Sequence, residues 1–281
     1  MANKKYAEAA IEFTNAIKLD PQDAQAHYKL ALAYLNQGGL PALRKAFDAL
    51  SRSVALDPTL NDAQVKLGEI YLLDGKLDAA QAKAELVLQR DPNSVGALLL
   101  LGKAYAGKQD LPQAIATLRK ALALDSKLLP AYLGLGDLYQ RSKDPQSAEQ
   151  MYREALALDP KRVTTHVSLG LFYASQRDFS RAEAALRAAT ELAPQDVTVR
   201  HILANFYASR GQTAEAERAY KDAVAVAPRD IRASLALANF YASRQRTDEA
   251  VAAYKQAAAV DPKALEPKQQ LAELYLRQNK L

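Results

Sequence analysis

The sequence predicts an all-α solenoid, because three features recur along its 281 residues with a period of 34 residues. A proline, preceded by aspartate in most repeats, marks the boundary between repeats. A leucine and a tyrosine four residues apart occur early in each repeat, and an alanine occurs later. The boundary prolines are Pro21, Pro58, Pro92, Pro160, Pro194, Pro228 and Pro262, with Ser126 at the remaining position. The tyrosines are Tyr34, Tyr71, Tyr105, Tyr139, Tyr173, Tyr207, Tyr241 and Tyr275.

Each repeat is predicted to contain two helices of about 14 residues. The leucine and the tyrosine share one face of the first helix because they are four residues apart. The residue after the leucine is always glycine or alanine, which allows the paired helices to approach closely. Asp-Pro ends the second helix, because the residue before a proline avoids the helical region. The predicted N-caps of first helices are Asp23, Ser94, Asp196 and Asp230.

This pattern resembles the tetratricopeptide repeat (TPR) family, in which a Leu-Gly/Ala…Tyr helix is followed by an Ala…Phe/Tyr helix and then by proline. The resemblance covers the whole chain, and it implies a right-handed α-α superhelix whose first helices line a concave groove. We expect one solenoid domain, 1–281, with seven complete repeats and the half-repeats 1–23 and 265–281. The complete repeats are 24–60, 61–94, 95–128, 129–162, 163–196, 197–230 and 231–264.

The first complete repeat is three residues longer than the others, and the excess lies in the segment 38–41, Gly-Gly-Leu-Pro. We interpret this excess as a lengthened loop between the two helices, with Pro41 opening the second helix. His27 and His166 occupy the position where the family usually has a bulky core residue. We therefore expect both histidines to be packing residues.

The half-repeats lack the polar capping element with which solenoids normally close. Leu271, Leu274 and Tyr275 would leave an apolar face open. We therefore expect the chain to be a fragment of a longer, bacterial TPR protein. The two half-repeats are also complementary, so we expect head-to-tail self-association in which the last helix of one chain packs on the first helix of another.

The composition argues against several classes of function. The chain has no cysteine, which excludes disulfides, thiolate chemistry and cysteine-based metal sites. Its net charge of +5 is spread thinly, unlike the dense basic stripe of a nucleic-acid-binding protein. No apolar run is long enough to cross a bilayer. His201 has no second ligand at metal spacing, and no catalytic or phosphate-binding pattern occurs, so we expect a non-enzymatic protein without cofactors.

The resemblance places the candidate partner-binding residues in the concave groove, at recurring positions of the first helices. Glu69, Lys103 and Asp137 form a line of alternating charge on adjacent repeats. They either pair with one another, which would contribute at most about 1 kcal/mol, or bind charged groups of a partner, with Arg141 adding a donor. A second groove position is apolar in the upstream repeats and begins with Tyr28.

Asn205 and Asn239 lie in near-duplicate segments of adjacent repeats, and each side chain offers both a donor and an acceptor. Such a pair suits the backbone of an extended peptide; the alternative is that it reflects only a recent duplication. With His201 nearby, this half of the groove is polar, whereas the upstream half is apolar. A ligand with one apolar and one polar segment would match both halves.

The leading hypothesis is therefore a protein-interaction scaffold that binds a peptide or a partner protein in the groove. One alternative is the substrate-recognition arm of a larger enzyme such as a glycosyltransferase, and another is a TPR component of exopolysaccharide secretion or surface assembly. Some TPR proteins bind chaperone C-terminal carboxylates through a clamp of Lys, Asn and Arg residues. That clamp is absent from the groove positions, which disfavours this ligand. The sequence is compatible with both the cytoplasm and the periplasm.

Overall fold

The computed structural model describes residues 2–277, with side chains from residue 4 onwards, and this part of the chain consists of helices and short connections. Its sixteen helices are α1 (Ala2–Leu19), α2 (Ala24–Gln37), α3 (Leu40–Leu56), α4 (Asn61–Leu73), α5 (Leu77–Arg90), α6 (Val95–Gly107), α7 (Leu111–Leu124), α8 (Leu129–Arg141), α9 (Pro145–Leu158), α10 (Val163–Ser175), α11 (Phe179–Leu192), α12 (Val197–Ser209), α13 (Thr213–Val226), α14 (Ile231–Ser243), α15 (Thr247–Val260) and α16 (Glu266–Arg277). The predicted all-α repeat fold is confirmed, while residues 278–281 of the last half-repeat lie outside the described residues.

The chain divides into two compact units, residues 1–151 and residues 152–281, with the boundary inside α9. In the first unit, consecutive helices pack against each other from α1 to α8. In the second unit, the same holds from α10 to α16. The single-domain organisation and the repeat boundaries stay predictions.

The predicted N-caps are confirmed, and each one fixes where a first helix begins. The side chain of Asp23 accepts a hydrogen bond from the backbone N–H of Ala26 at 2.9 Å. Ser94, Asp196 and Asp230 accept equivalent bonds from the first turns of α6, α12 and α14. These bonds satisfy N–H groups that have no partner within the helix.

The turn from the first helix to the second is a Schellman motif that recurs with the repeat. At the end of α6, the N–H of Asp110 bonds the carbonyl of Tyr105 at 3.0 Å, and the N–H of Gln109 bonds the carbonyl of Ala106 at 3.2 Å. The residue between the helices therefore adopts a left-handed conformation. This residue is glycine in two turns and a larger residue in four: Gly75, Gly211, Gln109, Lys143, Arg177 and Gln245.

The extra residues of the first complete repeat extend a helix rather than a loop, so the predicted loop is wrong. Only Gly38 and Gly39 separate α2 from α3, and both have positive φ. Helix α3 has 17 residues, whereas α5 and the later second helices have 14. Pro41 lies in the first turn of α3 as expected, because a proline there removes no intrahelical hydrogen bond.

Small residues bring the two helices of a pair together in the core. A Cβ atom on Gly102 would lie 2.5 Å from Cδ2 of Leu118, and one on Gly170 would lie 2.6 Å from Cδ2 of Leu186. Both leucines belong to the facing second helix and are almost fully buried. The recurring alanines of the second helices are fully buried: Ala46, Ala80, Ala114, Ala148, Ala182, Ala216 and Ala250.

The two histidines expected in the core lie instead beside the turns between repeats. His27 and His166 are only partly buried, and their Nε2 atoms lie 3.3 Å and 2.9 Å from the carbonyl oxygens of Pro21 and Pro160. Gln64 donates to the carbonyl of a boundary proline in the same way. These side chains hydrogen-bond the Asp-Pro turns, so the packing role expected for the two histidines is wrong.

Candidate protein-binding surface

The charged residues of the first unit do not form the expected line of ion pairs. Glu69 pairs with Lys66 one turn earlier on α4, with an N–O distance of 2.7 Å. Asp137 pairs with Arg141 on α8, with an N–O distance of 3.6 Å. Lys103 is exposed and makes no ion pair within the described residues. Of the two alternatives, pairing of Glu69, Lys103 and Asp137 with one another is therefore wrong, and binding of a partner's charged groups stays a prediction.

Arg141 is already engaged by its own unit. Its guanidinium donates to the carbonyl of Ala106 at 3.0 Å and to Oε1 of Gln109 at 2.7 Å. Both acceptors lie at the end of α6, so the side chain of Arg141 holds α8 against the turn of the preceding repeat. Few donors of Arg141 therefore remain for a partner. Lys103 is more accessible to solvent than Arg141.

Tyr28 contributes its ring to the core of the first unit. The residue is partly buried and packs against the buried cluster that includes Leu30 and Leu67. Burial raises the pKa of its hydroxyl, and the nearby carboxylates of Asp62 and Glu69 raise it further. The hydroxyl of Tyr28 is therefore a neutral hydrogen-bonding group at neutral pH, beside a negatively charged pair of side chains.

In the second unit, the two candidate asparagines make the same contact with a tyrosine of the facing helix. The hydroxyl of Tyr220 donates to Oδ1 of Asn205, and the hydroxyl of Tyr254 donates to Oδ1 of Asn239 at 2.6 Å. Burial raises the pKa of both tyrosines, so both hydroxyls stay protonated at neutral pH. We refer to these contacts as the two Tyr–Asn pairs.

The Tyr–Asn pairs leave the donor side of each carboxamide free. Asn205 and Asn239 are exposed, and their Nδ2 atoms make no hydrogen bond within the described residues. A carboxamide NH2 group carries two donors, so each asparagine can still bind a carbonyl or carboxylate oxygen. Because the tyrosine holds Oδ1, the orientation of the amide is set before any ligand binds.

His201 lies beneath this surface rather than on it. Its ring centroid is 6.1 Å from that of Tyr220, and its Nε2 atom is buried without a hydrogen-bond partner. Burial lowers the pKa of His201, and the nearby Arg232 lowers it too, while Asp230 acts in the opposite direction. The imidazole is therefore neutral at neutral pH and supports the ring of Tyr220 by packing.

A cleft of about 240 Å³ opens beside the second Tyr–Asn pair, between α14, α15 and α16. Its lining combines hydrogen-bonding, charged and apolar groups: Asn239, Ala242, Ser243, Tyr254, Gln270, Glu273, Leu274 and Arg277. Asn239 and Tyr254 therefore lie at the edge of a concave space. Asn239 can contact a side chain or backbone that enters the cleft.

The structure also contains an ionic cluster that sequence reasoning missed. Glu217 on α13 accepts hydrogen bonds from Tyr241 at 3.1 Å and from Arg246, and it pairs with Lys221 at 2.8 Å. We call these four residues the Glu217 cluster. The hydrogen bond from Arg246 is the main reason that the pKa of Glu217 falls to about 2.

The sequence contained a signal for this cluster. Glu217 precedes Tyr241, one of the recurring tyrosines, by 24 residues, and Glu183 precedes Tyr207 by the same interval. In the earlier pair, the hydroxyl of Tyr207 donates to Oε1 of Glu183 at 2.9 Å. A glutamate at this spacing therefore identifies a contact between consecutive repeats.

The described residues offer neither a metal-binding cluster nor a membrane-spanning helix. Residues 2–277 contain no group of three or more histidine, cysteine, aspartate or glutamate side chains arranged to hold a metal ion. Within the same range, none of the helices combines the length and the apolar character that crossing a bilayer requires.

Comparison with protein families identifies the class of protein. Residues 93–281 match the model of the cilia and flagella-associated protein 70 C-terminal domain. Residues 1–38 match a TPR repeat model, and residues 62–94 match a tetratricopeptide repeat model. The chain belongs to the tetratricopeptide repeat family.

Curated relatives match only part of the chain. U-box domain-containing protein 70 of Oryza sativa subsp. japonica is 30% identical over 95 residues, which are 34% of this chain and 11% of the relative. Hsp70-Hsp90 organizing protein 1 of Glycine max is 33% identical over 91 residues, which are 32% of this chain and 15% of the relative. The matched segments thus span less than a sixth of these relatives.

Solved structures support the fold over almost the whole chain. Yeast Tom70 is similar with a TM-score of 0.74 and 18% identity, over 99% of this chain and 60% of that one. Pseudomonas aeruginosa pilF is similar with a TM-score of 0.56 and 23% identity, over 76% of this chain and 97% of that one. These likenesses show that the chain has the helical-repeat fold of TPR solenoids.

Proposed function

We propose that this chain is a non-enzymatic scaffold that binds an extended peptide or a partner segment across Asn205 and Asn239. The observation that carries the proposal is the repeated Tyr–Asn pair, in which a buried tyrosine holds the carboxamide oxygen and leaves the NH2 group free. The same geometry on adjacent repeats offers two equivalent NH2 groups to one ligand. An extended backbone presents carbonyl acceptors at regular intervals, which matches this arrangement.

The amide groups of Asn205 and Asn239 are oriented before a ligand binds, which lowers the entropic cost of binding. A hydrogen bond contributes about 0.5–1.5 kcal/mol net, and the cost of immobilising a flexible side chain reduces that gain. Tyr220 and Tyr254 have already fixed the amides, so less entropy is lost when the ligand arrives. Backbone contacts carry little sequence information, and the cleft beside Asn239 offers a place for side-chain selection.

In the first unit, we expect Lys103 to make the main charged contact with the partner. Its ammonium is exposed and uncommitted, so it can pair with a carboxylate of the partner. Tyr28 supplies apolar contact area, while Glu69, Asp137 and Arg141 are held by contacts within the unit. Such an exposed ion pair contributes about 0–1 kcal/mol, so we expect Lys103 to tune affinity rather than to decide it.

The test is affinity purification from the source organism, followed by measurement of the affinity for the partner that is captured. The double variant Asn205→Ala/Asn239→Ala should bind that partner at least about tenfold more weakly, because two hydrogen bonds are lost. Asn93→Ala is the matched control, since Asn93 is an exposed asparagine in the turn before α6.

A second double variant separates orientation from contact. Tyr220→Phe/Tyr254→Phe keeps both rings and removes only the hydroxyl groups that hold the amides. We expect weaker binding than wild type but stronger binding than the asparagine double variant. If the partner binds the asparagine double variant as well as wild type, the proposed surface is wrong. The predicted head-to-tail self-association stays a prediction, and light scattering over a concentration series tests it.

A further inference from the structure

The extra turn of α3 lines a cleft in the first unit, whereas the two Tyr–Asn pairs lie in the second unit. The cleft has a volume of about 370 Å³ and lies between the start of α3 and the end of α4. Pockets that bind small ligands or side chains begin at about this size. Its lining is mostly apolar: Leu40, Leu43, Arg44, Phe47, Ile70, Tyr71, Leu73, Asp74 and Lys76.

Two leucines at this cleft are unusually accessible to solvent. Leu40 is 81% exposed and Leu73 is 74% exposed, although each lies next to aromatic and aliphatic side chains of the lining. Phe47 and Tyr71 pack edge to face, with ring centroids 5.8 Å apart. Leu40 belongs to the extra turn, so the longer helix itself places this apolar group at the surface. Exposed apolar patches with a polar rim mark interaction sites in soluble proteins.

The rim of the cleft carries one uncommitted charge, and that charge is positive. Arg44 is exposed and makes neither an ion pair nor a hydrogen bond within the described residues. The other two rim charges neutralise each other, because Lys76 pairs with Asp74 at 2.6 Å. A ligand that places a carboxylate beside Arg44 therefore gains an attraction that no group of this chain already satisfies.

We propose that the α3–α4 cleft binds a short segment of a partner protein that presents leucine-sized side chains and a neighbouring carboxylate. The aliphatic groups would cover Leu40 and Leu73, and the carboxylate would pair with Arg44. This surface shares no residue with the two Tyr–Asn pairs, so the inference does not depend on the proposed function.

A second copy of the chain fits the cleft less well than an acidic segment. In a two-fold symmetric contact, the same patch meets itself, so a rim with a net positive charge meets an equally positive rim. Like charges that meet at an interface oppose association. The charge of the rim thus favours a different partner over self-association.

A random twelve-residue peptide library displayed on phage provides the probe. Selection uses the wild-type chain, after removal of every phage that binds the double variant Leu40→Ser/Leu73→Ser. This removal also eliminates peptides that bind the groove. Both leucines are exposed, so the variant is expected to fold, and circular dichroism checks its helix content. We expect the surviving peptides to be enriched in leucine, isoleucine or phenylalanine together with aspartate or glutamate.

A synthetic copy of the selected peptide then tests the rim charge. Its affinity should fall about tenfold for Arg44→Glu and should recover when the acidic residue of the peptide is replaced by lysine. Leu124→Ser is the matched control, since Leu124 is an exposed leucine of the same unit outside the cleft. That variant should bind the peptide as wild type does.

Three results would overturn the proposal. The first is a selection that yields no enriched sequence, and the second is enrichment of basic or wholly apolar peptides. The third is a wild-type dimer, seen by light scattering, that dissociates in Leu40→Ser/Leu73→Ser, because the occupant would then be a second copy.

Discussion

Replacing Glu217 by glutamine should weaken the contact between consecutive repeats in the second unit. The carboxylate accepts hydrogen bonds from Tyr241 and Arg246 and pairs with Lys221. Lowering its pKa from the usual 4.5 to about 2 corresponds to about 3.4 kcal/mol. The cluster is partly exposed to water, which screens its charges, so we expect Glu217→Gln to cost about 1–2 kcal/mol at pH 7.

The loss should depend on pH with a definite sign. A carboxyl group whose pKa is lower in the folded state contributes its full stabilisation above the unfolded pKa, near 4.5. That stabilisation disappears as the pH falls from about 4.5 towards 2. The difference in unfolding free energy between wild type and Glu217→Gln should therefore shrink by more than half between pH 7 and pH 3. Urea unfolding followed by circular dichroism measures it at both pH values.

The equivalent residue of the preceding repeat provides the matched control. Glu183 accepts hydrogen bonds from Tyr207 and Arg187 at 2.9 Å each, but the position equivalent to Arg246 is Gln212, which supplies no positive charge. Glu183→Gln should therefore cost less than about 1 kcal/mol. Equal losses for the two variants, or a Glu217→Gln loss that is the same at pH 3 as at pH 7, would refute this reasoning.

Two further predictions concern the turn and the core. Gln109→Gly should stabilise the chain by about 1 kcal/mol in urea unfolding, because Gln109 has a φ of 65° that glycine adopts without strain. Gly75→Ala, at the equivalent turn, should destabilise the chain. If both variants change the unfolding free energy in the same direction, backbone strain at the positive φ is not the cause. Gly102→Ala should cost about 1–3 kcal/mol in thermal or urea unfolding, because the new methyl group would meet Leu118. Gly96→Ala is its control, with the nearest atom of another side chain at 3.6 Å, and an equal loss for both glycine variants would show that overpacking is not the cause.

The fold was predictable because its determinants are local and repeat many times. The spacing of Leu101 and Tyr105, the Asp-Pro turns and the N-cap Ser94 each act within a few residues and agree with one another. The prediction was wrong at the insertion, where Gly38 and Gly39 suggested a longer loop. The two glycines suffice as the linker, and Leu40 and Pro41 continue as helix because a proline is compatible with a first turn.

The candidate site was less predictable because side-chain partners depend on distance in three dimensions. Periodicity assigned Glu69 and Lys103 to one groove position, but it did not show that Lys66, one turn away on the same helix, is the nearer cation. The Tyr–Asn pairs were missed for a related reason. Tyr220 lies on the facing second helix, and its hydroxyl reaches Asn205 only when the two helices are packed.

The Glu217 cluster has a consequence for how such a chain changes in length over evolution. The glutamate belongs to one repeat, and Tyr241 and Arg246 belong to the next, so the contact spans the boundary between two repeats. The repeat 197–230 carries both Tyr207 and Glu217, so a duplicate of it would place a glutamate acceptor and a tyrosine donor on either side of the new junction. The chain can therefore grow by whole repeats while it keeps the same contact between consecutive repeats. The near-duplicate segments around Asn205 and Asn239 are the kind of record that such growth leaves.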